Sequence, residues 1–182
     1  MERASSPTRS RRRISAGLFS TALAIAIGDQ LVKRAVVARM AVGSPRDVIG
    51  DLVRFTRTSN TGAAFGLFRG RGVLFILISA AASVAIIAFS REIARLKRLE
   101  QIAFGLVLGG AVGNLIDRVR IGAVVDFIDI GIGDLRWPAF NIADSAITIG
   151  VVLLAVNLLF LSRPGGAPAG GSVEGADEPG DS

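Results

Sequence analysis

Length, composition and charge exclude most soluble enzyme classes for this chain. It has 182 residues, of which 51% are hydrophobic, and it contains no cysteine and no histidine. These absences exclude disulfides, thiol nucleophiles, imidazole bases and the usual zinc and copper ligands, so we expect no metal and no cofactor. Catalysis would have to rest on carboxylates, hydroxyls, lysine or bound water. The hydrophobic content is too high for an ordinary soluble domain and predicts one membrane domain.

The net charge of +6 fits two kinds of polyanionic partner. Nucleic acid is one, but the basic residues lie beside the hydrophobic runs, as in Arg11–Arg13 and Arg91–Arg98. This distribution favours anionic lipid headgroups. We therefore expect membrane lipid as a partner and no nucleic acid.

Four long apolar runs predict four transmembrane helices. Each has about the 20 residues, at about 1.5 Å each, that a bilayer crossing requires. The first run follows a basic segment and could by itself be a cleavable secretion signal, but the later runs make it the first helix of a multi-span protein. The predicted fold class is an all-α integral membrane protein with spans at about residues 14–37, 72–90, 102–118 and 142–161.

Two segments between the spans differ from the apolar runs around them. Residues 40–71 mix short apolar stretches with charged residues, glycine and proline, which predicts strands and turns. We expect a small extracytoplasmic β-rich subdomain there, between the first two spans, and a second outer segment at residues 119–140. The membrane domain then covers residues 14–162. The basic residues 1–13 and the Gly-, Pro- and acid-rich residues 163–182 are predicted to be disordered tails.

An even number of spans puts both termini on one side of the membrane, and the basic residues indicate which side. Five basic residues precede the first span, and four lie in the short connector after the second. Dense positive charge beside a span is typical of cytoplasmic segments. The outer segments also contain many arginines, so the indication comes from charge density rather than from total number. It predicts cytoplasmic termini and an outer position for both longer connecting segments.

Two patterns have both a structural and a functional interpretation, and a third is structural. Asp29 and Lys33, one helical turn apart, could end the first span in the headgroups or brace a polar site. Asn60 and Gly62 begin a run of small residues that could form a simple turn or admit the backbone of a peptide. Glycines at helical spacing in the third span predict a close helix-packing face. These are Gly105, Gly109, Gly110 and Gly113.

Polar residues also collect near the outer ends of the third and fourth spans. Asn114, Asp117 and Arg118 lie about one turn apart, and an arginine next to an acid can reach the membrane surface as an ordinary pair. Asp126 and Asp144 are each embedded in apolar residues, where a charge is costly. Asp144 could simply cap the fourth span. The alternative is that the two carboxyls face each other across a site.

Other functional classes remain open on these residues alone. A proton- or cation-coupled transporter could use Asp144 and Asn157 within the membrane. A Ser/Lys peptidase would need a serine and a lysine together at the outer face, but Lys97 lies in the predicted cytoplasmic connector and Lys33 has Asp29 as its nearest partner. A purely structural membrane protein would tolerate the loss of Asp126 and Asp144.

Five short motifs occur in order along the apolar runs. They are Asp29-Gln30-Leu31-Val32-Lys33, Asn60-Thr61-Gly62-Ala63-Ala64-Phe65, Gly113-Asn114-Leu115-Ile116-Asp117-Arg118, Val124-Val125-Asp126-Phe127 and Phe140-Asn141-Ile142-Ala143-Asp144-Ser145. Each alone is weak, but the five together closely resemble the lipoprotein signal peptidase family, signal peptidase II. The resemblance covers about residues 15–162, and neither tail belongs to the family pattern.

This resemblance implies a membrane aspartic endopeptidase of the bacterial cytoplasmic membrane with its site at the outer face. Its substrates would be diacylglyceryl-modified prolipoproteins, cut immediately before the lipidated cysteine. Asp126 and Asp144 would be the catalytic pair, sharing a proton and activating water. The resemblance also implies inhibition by globomycin, and we expect a monomer. Supporting roles at the site are assigned by motif to Asn60, Gly62, Asn114, Asp117, Arg118, Asn141, Asp29 and Lys33.

Overall fold

A computed structural model describes residues 15–62 and 72–161 of the chain. The two predicted tails and residues 63–71, which include the end of the Asn60 motif, lie outside the described residues. The helices are α1 (Ala16–Arg39), α2 (Gly72–Ala88), the short α3 (Ser90–Ile93), α4 (Arg98–Ile121) and α5 (Ile142–Val156), and α5 continues as a π-helical turn, Asn157–Leu161. The strands are β1 (Pro45–Ile49), β2 (Val53–Asn60), β3 (Val124–Ile132) and β4 (Leu135–Arg136).

Helix α4 is the centre of the helical part, and its glycines bring its neighbours close. A Cβ added to Gly109 would lie 2.6 Å from the carbonyl oxygen of Ala22 in α1, and one added to Gly110 would collide with the carbonyl oxygen of Ala143 in α5. Such backbone-to-backbone approach is what small residues allow between helices. The predicted close packing face on the third apolar run is therefore confirmed.

The order of these contacts gives the directions of the helices. Gly105 packs against Leu18 and Gly113 against Asp29, so α1 and α4 run in the same direction. Gly150 of α5 packs against Ala103, near the start of α4, so α5 runs in the opposite direction. Helix α2 also runs opposite to α4. Its Phe75 lies under the guanidinium of Arg118, while Ile86 packs on the cluster that includes Leu18 and Leu108.

Two of the described helical segments are long and apolar enough to cross a membrane, Arg98–Ile121 and Ile142–Phe160. Helix α2 is apolar but has 17 residues. Helix α1 has 24 residues but carries four charged side chains in its C-terminal half. The protein is therefore helix-rich with apolar helices, and its crossing of the membrane four times stays a prediction.

The strands form one antiparallel sheet in the order β1-β2-β3-β4 at one end of the helices. Residues 40–62 contribute β1 and β2, as the β-rich prediction requires, but β3 and β4 come from the second outer segment. The predicted fold was incomplete in this respect, because residues 124–132 pair with β2 and extend the sheet. Beneath β3, the buried Phe127 packs with Val36 and Met40 at the end of α1, which fixes the sheet to the helices.

Candidate active site

A cleft of about 610 Å³ opens where the sheet meets the helices, and both Asp126 and Asp144 line it. Asp126 lies in the buried first half of β3 and is only 1% exposed. Opposite Asp126, strand β2 carries a bulge between Phe55 and Thr58, a feature that commonly redirects side chains near functional sites. Asp144 lies in the first turn of α5 and is half-buried. The structure thus brings together two carboxylates that are eighteen residues apart in sequence.

Two asparagine side chains connect the carboxylates. The Nδ2 of Asn141 donates to Asp126 Oδ1 at 2.7 Å, and the Nδ2 of Asn114 donates to Asp144 Oδ1 at 2.7 Å. Asn141 Nδ2 also donates to Asn114 Oδ1 at 3.2 Å, so one series of hydrogen bonds runs from Asp126 to Asp144. Asn141 and Asn114 are almost fully buried, so these amides fix the position of each carboxylate relative to the other.

The capping interpretation of Asp144 is also correct. Asn141 is the N-cap of α5, its Oδ1 accepting from the Asp144 backbone N–H at 3.0 Å. Asp144 Oδ2 accepts in return from the Asn141 backbone N–H at 3.2 Å. This reciprocal arrangement satisfies two otherwise unpaired helix donors. One carboxylate oxygen of Asp144 therefore serves the helix end, while the other meets Asn114.

Asn60 is the last residue of β2 and reaches Asp126 from the other side. Its Nδ2 donates to Asp126 Oδ2 at 3.0 Å, and its Oδ1 accepts from the backbone N–H of Gly62 at 2.9 Å. This second bond forms a tight turn, which was the structural interpretation of this motif in the sequence. Both residues also line the cleft, so the turn and a role at the site are compatible.

Burial raises the pKa of the Asp126 carboxyl from its ordinary value of 3.8 to about 6, and the nearby negative charge of Asp144 acts in the same direction. The hydrogen bonds from Asn60 and Asn141 and the positive charge of Lys33 oppose this increase. A carboxyl with this pKa can hold or release its proton near neutral pH, which is the property that acid–base catalysis requires.

Behind the cleft, Lys33 is the centre of a buried polar cluster. Its Nζ lies 2.8 Å from Asp29 Oδ2, 2.9 Å from Asp117 Oδ2 and 3.0 Å from Asn114 Oδ1. The predicted Asp29–Lys33 pair is confirmed, and its side chains are only 0–3% exposed, so it lies inside the protein. The structure favours the bracing interpretation, since Lys33 also contacts an asparagine of the site.

Each acid of this cluster holds the backbone directly before a cleft carboxylate. Asp29 Oδ1 accepts from the Ala143 N–H at 3.0 Å, one residue before Asp144. Asp117 Oδ2 accepts from the Val125 N–H at 3.2 Å, one residue before Asp126. Lys33 therefore bridges two carboxylates that each anchor one wall of the cleft.

Two residues behave differently from the sequence interpretation. Asp117 does not pair with Arg118, because its carboxylate is taken by Lys33, Val125 and Gln30, whose Nε2 lies 2.8 Å from Asp117 Oδ1. Arg118 instead lies over the ring of Phe75 at 5.1 Å and lines the cleft. Gln30 was missed as a site residue although it follows Asp29 directly in the first motif.

The transporter interpretation of the sequence used Asn157 together with Asp144. In the structure, Asn157 Nδ2 donates to Glu100 Oε1 at 2.5 Å, and Asn157 lies about 20 Å along the helix from Asp144.

Comparison with known proteins identifies the family. The family model described as signal peptidase (SPase) II matches residues 21–160. The chain is also 42% identical over 143 residues to a lipoprotein signal peptidase of Geobacillus kaustophilus, covering 79% of this chain and 93% of that protein. The chain belongs to the signal peptidase II family. The resemblance seen in the sequence is confirmed, and the protein is a peptidase, a hydrolase of the family that removes signal peptides from lipoproteins.

Further relatives support the same assignment. The lipoprotein signal peptidase of Bacillus subtilis is 40% identical over 141 residues, which are 78% of this chain and 92% of that protein. A solved bacterial membrane enzyme, determined by the in meso method at 2.3 Å resolution, superposes with a TM-score of 0.73 at 35% identity, covering 81% of this chain and 92% of its own. The structural relatives of this signal peptidase II family member are thus bacterial membrane enzymes.

Proposed function

We propose that this signal peptidase II family member is a membrane aspartic endopeptidase that cuts diacylglyceryl-modified prolipoproteins just before the lipidated cysteine. The observation that carries the proposal is the amide-linked pair of Asp126 and Asp144 lining one cleft. The family supplies the substrate class, and the cleft supplies a place for a peptide at the end of apolar helices. Asn60, Gly62, Asn114, Arg118 and Asn141 line or brace the cleft in this proposal, and Asp29, Lys33 and Asp117 support it from behind.

In the proposed reaction, the protonated carboxyl of the pair donates a hydrogen bond to the oxygen of the scissile carbonyl. The ionised carboxyl accepts a proton from a water molecule as that water's oxygen bonds to the carbonyl carbon. The tetrahedral intermediate then breaks its C–N bond, and the leaving amine takes a proton from the pair. Burial raises the pKa of Asp126 to about 6, so this carboxyl is able to hold the shared proton near neutral pH. No acyl-enzyme forms in this sequence of steps.

We also propose the membrane arrangement of four spans, with both termini in the cytoplasm and the cleft at the outer face. The alternating directions of α1, α2, α4 and α5 and the position of the sheet at one end support it. The substrate's acyl chains could then stay in lipid while its peptide reaches the cleft. Each buried CH₂ contributes about 0.8 kcal/mol, so lipid would supply much of the binding free energy. We expect a monomer that is inhibited by globomycin.

Asparagine substitutions test the proposal. Asp126→Asn and Asp144→Asn preserve side-chain size but remove the carboxyl, and we expect each to lower cleavage of a lipidated prolipoprotein by about 10³-fold or more. Loss of the signal peptide is followed as a mass shift. Asp134→Asn is the matched control, because Asp134 is an exposed acid of the same outer segment. Cleavage by Asp126→Asn within tenfold of the unsubstituted enzyme would refute the assignment.

A further inference from the structure

A second cavity, of about 330 Å³, lies on the other side of β3 from the cleft. Along a strand, successive side chains point to opposite faces. Val124 and Asp126 line the cleft, whereas Val125 between them lines this second cavity. The two cavities share no lining residue. The second cavity is therefore separate from the candidate active site and needs its own explanation.

Three arginines from three different elements line the second cavity. Arg34 comes from α1, Arg57 from β2 and Arg120 from α4. None of the ion pairs formed among residues 15–62 and 72–161 includes any of the three. Residues 63–71 contain no acidic residue that could pair with them. Within the described part of the chain, the guanidinium of Arg57 donates only to the carbonyl oxygens of Val37 and Met40, at the end of α1.

The acidic lining of this cavity does not compensate the arginines. Asp117 is the acidic residue in the lining, and its carboxylate is already paired with Lys33 at 2.9 Å. Three cations that line one cavity, with no counterion among the residues that the structure describes, repel one another, and an anion bound between them would remove that repulsion. Guanidinium groups match phosphate oxygens in geometry and can donate two hydrogen bonds at once. The chemistry of the cavity thus fits a phosphate group.

The position of the cavity favours a phosphate that belongs to a lipid. Arg34 and Arg120 lie in the last two turns of α1 and α4, at the end of the helices where the sheet begins. The same cavity is also lined by the exposed apolar side chains of Val37, Val42 and Ile121. A phospholipid presents this combination, with a charged headgroup directly attached to apolar chains.

We propose that this cavity binds the headgroup of an anionic phospholipid, with Arg34, Arg57 and Arg120 around its phosphate and the chains leaving over Val37, Val42 and Ile121. Each basic residue near an anionic surface strengthens such binding by about fivefold. Loss of two of the three arginines should therefore weaken binding by about 30-fold, which is about 2 kcal/mol at 1.4 kcal/mol per factor of ten.

Native mass spectrometry of the full chain, released from detergent, tests this proposal with phosphatidylglycerol as the probe. Phosphatidylcholine with the same acyl chains and inorganic phosphate are the comparison ligands. The double variant Arg34→Gln/Arg120→Gln should lose the phosphatidylglycerol adduct. Both side chains are exposed, so folding should persist. The matched control Arg91→Gln/Arg95→Gln removes two arginines from the other end of the helices and should retain the adduct.

Three outcomes would count against the proposal. Equal retention of phosphatidylglycerol by the double variant and the control would overturn it, because binding would then not depend on the cavity. Equally tight phosphatidylcholine binding would overturn the selection for an anionic headgroup. Displacement of phosphatidylglycerol by inorganic phosphate at equal concentration would show a site for a free anion instead of a lipid. The single variants Arg34→Gln and Arg120→Gln should each give intermediate losses, since both guanidiniums contact the same group in the proposal.

Discussion

Replacement of Lys33 by methionine tests whether one buried ammonium group holds both walls of the cleft. Lys33 is 3% exposed and lies within 3.0 Å of Asp29, Asp117 and Asn114. Methionine keeps most of the length of the side chain but removes its charge. The carboxylates of Asp29 and Asp117 would then stay buried without their cation. The net charge of the cluster would change from −1 with Lys33 to −2 without it.

The expected cost follows from this geometry. Removal of one partner from a buried ion pair destabilises a protein by about 3–5 kcal/mol, because the remaining charge stays buried. For a chain of this size each kcal/mol lowers the melting temperature by about 2–4 °C, so the shift should be about 6–20 °C. Activity should fall in the fraction that stays folded, since Asp29 and Asp117 hold the backbone before Asp144 and Asp126.

The assay is thermal unfolding of the purified chain in detergent, together with cleavage of a lipidated prolipoprotein below the unfolding range. Lys97→Met is the matched control, because Lys97 is the other lysine of the chain and is exposed. The double variant Lys33→Met/Asp117→Asn should recover part of the lost stability, since it buries one negative charge fewer. The reasoning fails if Lys33→Met melts within about 2 °C of Lys97→Met.

Two further predictions use the glycine packing and the pKa of Asp126. Gly110→Ala should destabilise the protein by about 1–3 kcal/mol, because the added Cβ meets the backbone of Ala143. Gly28→Ala is the control, since a Cβ there would meet no neighbouring element within 4 Å. In the same melting assay it should be neutral or stabilising by up to about 1 kcal/mol. The proposed reaction needs one protonated carboxyl in the pair, and burial raises the pKa of Asp126 to about 6, so kcat/KM should fall as pH rises through about 6. Asn60→Ala removes a bond that stabilises the carboxylate, so its pH profile should lose activity at a higher pH, and an unchanged or lower midpoint would contradict the assignment.

The local parts of the fold and site could be predicted because their causes are local. The Asp29–Lys33 pair follows from four-residue spacing on one helix, and the glycine face follows from helical periodicity. The capping role of Asp144 follows from its position in the first turn of an apolar run. Each of these depends on neighbours within a few residues, which a sequence displays directly.

The remaining features depend on residues that are far apart in the chain. Lys33 meets Asp117 across 84 positions, and nothing in either motif specifies that contact. Asp117 was paired with Arg118 in the sequence because they are adjacent, but side chains at adjacent helical positions point in different directions. The strand at residues 124–132 was missed because its first four residues are all buried, so the sequence there lacks the alternation of a half-exposed strand.

The hydrogen bonds to the paired aspartates have one more consequence. All four of their carboxylate oxygens accept from an amide: those of Asp126 from the side chains of Asn60 and Asn141, and those of Asp144 from the side chain of Asn114 and the backbone of Asn141. A carboxylate held at both oxygens cannot flip about its own axis, so the lone pairs that remain have fixed directions before any ligand enters. A reaction at these groups would therefore need little reorganisation of its surroundings.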